Sequence, residues 1–190
     1  MTYCGPMSGT RPIPTTFPIR LLGALALDTA IYEEVEADRS ATGQAMLVVV
    51  LSSLGAGIGA LGLSRGSLKS IVFISGLALL SWAAWAVVTF QIGAKLMPEP
   101  QTRADVGELL RTIGFAAAPG MLRIFGIVPG ATVPAFAITA LWMLVAMVVA
   151  VRQALDYKST ARAVAVCALG WALAIGIAVA VGLFFGPAVS

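Results

Sequence analysis

Arg123 is the one charge set well inside an apolar stretch of this sequence, and a lone cation in such a setting is a site candidate by default. It could serve a substrate. The structural alternative, which the spacing favours, is anchoring: Pro129-Gly130 follows within seven residues, about 10 Å along a helix, so the side chain can reach along its stem to a polar edge. Pro119 and Gly120 lie just upstream. A proline inside a helix frees the carbonyl four residues earlier for a neighbouring helix, a water or an ion, and a packing kink is the plainer reading. Trp82, Trp85 and Trp142 fall in the middle of apolar runs, so their indole N–H groups need internal partners, whether they line a cavity or fill a core.

Other chemistry is scarce. The absence of histidine removes the usual general base and the commonest metal ligand. Cys4 and Cys167 are too far apart for a disulfide framework or a metal-ligand spacing, and Cys4 reads as an ordinary thiol because Met1-Thr2-Tyr3 makes no signal segment. The acids Glu33, Glu34, Glu36, Asp38, Glu99, Asp105, Glu108 and Asp156 sit in polar connectors with no pair spaced for acid–base work, so no enzyme, cofactor or metal site is expected. Gly57-Ile58-Gly59-Ala60-Leu61-Gly62 matches G-x-G-x-x-G, yet no Asp or Glu occurs between Asp38 and Glu99 to hold a ribose. In lipid the glycines have another use: Gly55 and Gly59, four apart, let a second helix approach closely. Gly170, Ala174, Ala178, Gly182 and Gly186 repeat that device along one stripe. Such faces pack inside a bundle or form a dimer seam.

The elements that must carry these residues are apolar rods. Of 190 residues, 59% are hydrophobic and 11% charged, and the mean hydropathy is +0.94, far from the roughly 25% charged of soluble domains. The net charge of +3 comes from basic residues spread singly, which gives no stripe for tracking nucleic acid. Residues 1–16 are rich in Pro, Gly, Thr and Ser and read as a loose tail. Phe17 to Leu27 is too short to span and reads as a helix lying along the membrane. Asp28 is a fair N-cap for a second short helix, Thr29 to Ala37, with Ile31, Tyr32 and Val35 on one face and Glu33, Glu34 and Glu36 on a solvated one. Residues 17–44 thus form an amphipathic cytoplasmic or interfacial segment.

Residues 45–186 hold five apolar runs: Ala45 to Leu63, Ser70 to Ala94, Ile113 to Val128, Ala131 to Val151 and Ala163 to Phe185. The third, about 16 residues, is just under the usual minimum of ~17 and either crosses or bends back. The fold class is all-α, a polytopic five-transmembrane-helix bundle. With an odd number of crossings the termini lie on opposite sides. A cytoplasmic N-terminus puts Arg11, Arg20, Arg39, Lys95, Arg103, Arg111, Arg152, Lys158 and Arg162 inside, against Arg65 and Lys69 outside.

Ile113-Gly114-Phe115-Ala116-Ala117-Ala118-Pro119-Gly120, Ala140-Leu141-Trp142 and Val151-Arg152-Gln153-Ala154-Leu155-Asp156 followed by Arg162-Ala163 resemble the bacterial branch of the Yip (Ypt-interacting protein) family. Leu25 to Gln44, with Tyr32-Glu33-Glu34 and Ala41-Thr42-Gly43-Gln44, is similar to the segment before the first span in that branch. The resemblance covers nearly everything after Phe17 and rests on order and spacing, since no motif in it is catalytic. It implies a five-helix integral membrane protein with a cytoplasmic N-terminus. In eukaryotic members it implies association with Rab GTPases, but Ile113-Gly114-Phe115 stands where those members more often show tyrosine. The function expected is that of a non-enzymatic scaffold, adaptor or accessory subunit in a bacterial cytoplasmic (inner) membrane, binding the lipid bilayer and other membrane proteins or itself. The alternative is a small-solute or ion transporter or channel using Pro119 and Arg123.

Overall fold

The structure, a computed structural model, describes residues 15–62, 68–100, 102 and 105–184, with side-chain surroundings up to residue 173. The expectations for the tail 1–14, Cys4, Arg11, Arg65, Arg103 and Gly186 lie outside the described residues. Among those described, every regular element is helical: α1 (Phe17–Leu25), α2 (Thr29–Ala37), α3 (Ala41–Gly59) with a 3-10 turn (Ala60–Gly62), α4 (Leu68–Phe90) ending in a π-helical turn (Gln91–Leu96), α5 (Val106–Ala116), a 3-10 segment (Ala118–Ile127), α6 (Thr132–Ala154) and α7 (Thr160–Phe184). Among the described residues, three stretches are long and apolar enough to cross a membrane: Ala41–Gly62, Leu68–Leu96 and Thr132–Ala154.

The third apolar run differs most from its sequence reading. Instead of one helix over 113–128, α5 begins at Val106 and stops at Ala116, and the next ten residues, Ala118–Ile127, wind as a 3-10 helix. Pro119 supplies the reason. It has no N–H to give to the carbonyl four residues back, and its ring crowds that carbonyl. Tightening the coil answers both, with Ala117 N–H donating to Gly114 O at 3.2 Å and Gly120 N–H to Ala117 O at 2.9 Å.

Close approaches fix the directions of the rods. Ala45 of α3 lies on Gly114, Gly55 on Gly120 and Met121, and Gly62 on Gly126, so α3 runs parallel to α5 and its 3-10 continuation. Gly57 meets Ile71 and Ser75 of α4, while Met143 and Thr132 of α6 sit beside Gly120 and Gly62, so α4 and α6 run the other way. On α7, Gly170 faces Trp85 and Val166 lies near Gly93, which makes it antiparallel to α4. Direction therefore alternates along the chain.

The α1–α2 hairpin packs on the end of the bundle where α3 begins, mostly against α5 and α6. It does not lie apart as an isolated surface helix. Its turn is a left-handed helix end in which Leu27 (φ 61) takes the place usually given to glycine, with Asp28 N–H bonded to Gly23 O at 2.9 Å and Leu27 N–H to Ala24 O at 3.2 Å. Asp28 Oδ1 then accepts from Ala30 N–H at 3.0 Å and caps α2. The core gathers at this end: Tyr32, Val35, Val48, Leu109, Ile113, Phe115, Val151 and Leu155 are all buried. The flanks are apolar too. Val72, Phe73, Leu77, Leu80 and Val87 of α4 and Val133, Ile138 and Leu141 of α6 are exposed, an arrangement that water penalises at about 25 cal/mol per Å² and hydrocarbon does not.

Candidate functional site

A cavity of about 390 Å³ opens between α4, α6, α7 and the 3-10 segment. Its wall is formed by Trp82 and Trp85 of α4, Trp171 of α7, Met143 and Met147 of α6, and Arg123. The alternating directions produce it. The tight turn at Pro129-Gly130, with Gly130 at φ 82, folds the 3-10 segment back along α6 and sets Arg123 beside Phe136 and Thr139. The guanidinium lies 5.3 Å from the Phe136 ring centroid, and its Nε donates to Thr139 Oγ1 at 3.3 Å. Thr139 is free to accept because its own hydroxyl donates to Ala135 O at 2.7 Å. Both partners of Arg123 are neutral, and among the described residues no carboxylate pairs with it.

Facing the interior, α4 carries four buried polar atoms with no partner among the described residues: Ser75 Oγ, Trp82 Nε1, Trp85 Nε1 and Thr89 Oγ1. Trp85 and Thr89 abut Gly170. Trp142 belongs elsewhere: its indole N–H donates to Leu25 O at 3.0 Å and ties the α1–α2 turn to α6. Pro119 and Gly120 are buried where the 3-10 segment crosses α3, and a Cβ on Gly120 would collide with Ser52 Oγ. Gly55 and Gly59 occupy the same crossing, Gly59 against the Arg123 carbonyl and the Phe136 ring. Of the singled-out residues, Arg123, Pro119, Gly120, Gly55 and Gly59 are thus brought together, while Trp142 and Gly170 serve other contacts. Ala174, Ala178 and Gly182 lie on α7 beyond the residues whose side-chain surroundings are described. Phe136, Thr139 and Trp171 escape the sequence reading. The first had a signal, since the turn at Pro129-Gly130 lies midway between Arg123 and Phe136.

A second polar constellation closes the opposite end of the bundle. Arg20 is 2% exposed, and its guanidinium donates to Glu34 Oε1 from Nη2 at 2.8 Å and from Nε at 3.1 Å, to Asp38 Oδ2 at 2.7 Å and to Gln44 Oε1 at 3.1 Å. Glu34 therefore binds within the fold and is not part of a solvated acidic face. Arg111, also buried, is spent on the backbone carbonyls of Val35 and Glu36 at the end of α2. Nearby, the Tyr157 hydroxyl lies 2.8 Å from both Gly93 O and Met97 O, so it can satisfy one carbonyl of the π-helical turn at a time.

Glu36 is the pH-sensitive group of this end. Burial, then the charges of Asp156, Glu108 and Glu33, push its carboxyl up to about 7, against the pull of Arg111. The native state thus holds a proton that the unfolded chain has already released, so the stabilisation is complete below about pH 4.5 and is lost as pH rises through about 7. Glu36→Gln is expected to leave thermal stability nearly unchanged at pH 5 and to raise it at pH 8. Allowing for solvent screening, the gain is on the order of 1 kcal/mol. Equal melting shifts at both pH values would contradict the assignment.

No family model, no curated protein and no solved structure matches this chain. What the fold itself defines is a class: an all-helical protein with, among the described residues, three helices long and apolar enough for a bilayer, compatible with an integral membrane protein.

Proposed function

We propose that the chain crosses a bacterial cytoplasmic membrane five times and works there as a non-enzymatic scaffold, adaptor or accessory subunit for other membrane proteins or for a second copy of itself. Support for the crossings comes from the alternating directions and from length: the part of α5 after Arg111 and its 3-10 continuation together rise about 29 Å, close to a ~30 Å core. Support for the orientation comes from charge. Arg20, Arg39, Lys95, Arg111, Arg152, Lys158 and Arg162 gather at the α1–α2 end and Lys69 at the other, the bias of a cytoplasmic N-terminus. The Yip-like order of segments after Phe17 enters the same proposal on the sequence alone.

The observation that favours binding as the activity is the rigid seating of the α1–α2 hairpin. Arg20, Arg111 and Trp142 hold it in one orientation, with Asp28, Glu33 and Arg39 exposed. Extraction of the full chain in mild detergent should retain a defined set of membrane proteins, and reversing the exposed Glu33 and Arg39 should release that set, in the case of Arg39 without lowering the melting temperature, since Glu33 also accepts a hydrogen bond from Gln153 at 2.8 Å. A chain that emerges alone, or a set indifferent to both reversals, contradicts the reading. The line of unpartnered polar atoms on α4 beside Arg123 favours a second reading, a path for a small solute or ion. Flux across reconstituted vesicles tests it directly.

A further inference from the structure

We propose that the cavity beside Arg123 binds a single-chain anionic amphiphile, a long-chain carboxylate whose head sits on the guanidinium and whose alkyl chain lies along Trp82, Trp85 and Trp171. Among the described residues the Arg123 guanidinium meets only a neutral hydroxyl and an aromatic ring, and no Asp or Glu occurs between Asp38 and Glu99, between Glu108 and Asp156 or after Asp156, so the rods around it bring no side-chain counter-ion. A partly desolvated cation without a counter-ion is costly, and an incoming carboxylate removes that cost with charge-assisted hydrogen bonds.

Ala78, Ala140, Met143, Leu144 and Met147 offer an apolar, adaptable lining next to the indoles, which suits an alkyl chain and not a hydrated inorganic ion. The Trp82 indole N–H is enclosed and has no acceptor among the described residues, so the head is left to Arg123. A volume of about 390 Å³ lies within the roughly 300–1,000 Å³ typical of small-molecule sites and accommodates one alkyl chain, and a second apolar groove of about 610 Å³ adjoins it at Leu144 and Trp171. The inference uses the membrane reading only to supply the ligand, and binding itself can be read in detergent.

The test uses the full chain purified in a neutral maltoside detergent, with brominated palmitate as a quencher of tryptophan fluorescence. Its methyl ester partitions into micelles at least as well but carries no charge, and a brominated phosphatidylglycerol supplies the two-chain anion. The expected result is saturable quenching by the acid, at least tenfold weaker apparent binding of the ester, and a similar loss in Arg123→Gln with most of the affinity kept in Arg123→Lys. If Arg123→Gln fails to fold, the acid–ester comparison in the unaltered protein decides alone. Equal quenching by acid and ester, or undiminished binding by a folded Arg123→Gln, overturns the site. Stronger quenching by the phospholipid than by palmitate overturns the single-chain ligand. Failure of the five-crossing topology would leave these binding results standing, so the two are separable.

Discussion

Arg20→Met is expected to destabilise the protein by about 3 kcal/mol and to loosen the α1–α2 hairpin from the bundle. The guanidinium is 2% exposed and joins three elements through Glu34, Asp38 and Gln44. Removing it leaves two carboxylates in a site shaped for their neutralisation. The side chains of Glu34 and Asp38 remain 25% and 28% exposed, so water relieves part of the penalty and the loss falls at the low end of what breaking a buried pair costs. Burial of Glu34 works against its ionisation, but hydrogen bonds from Arg20 and Thr15 outweigh it and hold the carboxyl below its usual value. Asp38 is held low by Ser40 and Arg20. Depressed acid values stabilise above the unfolded range and are lost as pH falls through the folded one, so the deficit of Arg20→Met should shrink below about pH 4. Thermal melting and limited proteolysis between α1 and α3 measure both effects. Neutralising the stranded pair by Glu34→Gln and Asp38→Asn in the same protein should recover part of the loss. A melting temperature unchanged by Arg20→Met would mean that the network is ornamental.

The second large effect concerns the crossing of α3 with the 3-10 segment. Gly59→Val is expected to cost about 3 kcal/mol or more, because even a Cβ would collide with the Arg123 carbonyl and reach 3.0 Å from the Phe136 ring. The carbonyl is backbone and cannot rotate away, so two rods must separate, and the seating of Arg123 on Phe136 and Thr139 separates with them. Gly76→Ala provides the contrast. Nothing lies within 4 Å of the added methyl on α4, so the change should be neutral or stabilise by up to about 1 kcal/mol through helix propensity. Comparable losses in the two variants would show that the damage at Gly59 comes from the glycine backbone and not from the neighbour.

The rods were legible because Arg123 is the one charge within them, but their ends were not. Thr42 and Gln44 break the apolar run without breaking the helix, so α3 starts at Ala41 and not at Ala45. Glu108 and Arg111 hid the first turns of α5 in the same way, since Arg111 is polar in the sequence but buried against the carbonyls at the end of α2. Pro119 announced an interruption, while the length of the 3-10 segment that follows depends on packing against α3 and α6, which one strand of sequence does not record. Leu27 and Asp156 occupy left-handed positions that glycine normally marks; the Asp28 cap gave away the first of these helix ends, and nothing marked the second. For Arg123, depth and isolation could be read, and the antiparallel register around Pro129-Gly130 would have added Phe136. The tryptophans of α4 and α7 meet there only through tertiary structure, as does Trp142 with Leu25, 117 positions away.

Topology is the claim on which the rest stands, and single-cysteine labelling in intact cells tests it most directly. In a background of Cys4→Ser and Cys167→Ala, cysteines at Lys69 and Gly130 should react with a membrane-impermeant maleimide added from outside. Cysteines at Ser40 and Lys158 should react only after the membrane is opened. Labelling of Gly130 and Lys158 from the same side, or free labelling of all four positions in a soluble fraction, would contradict a chain whose rods pass back and forth through hydrocarbon.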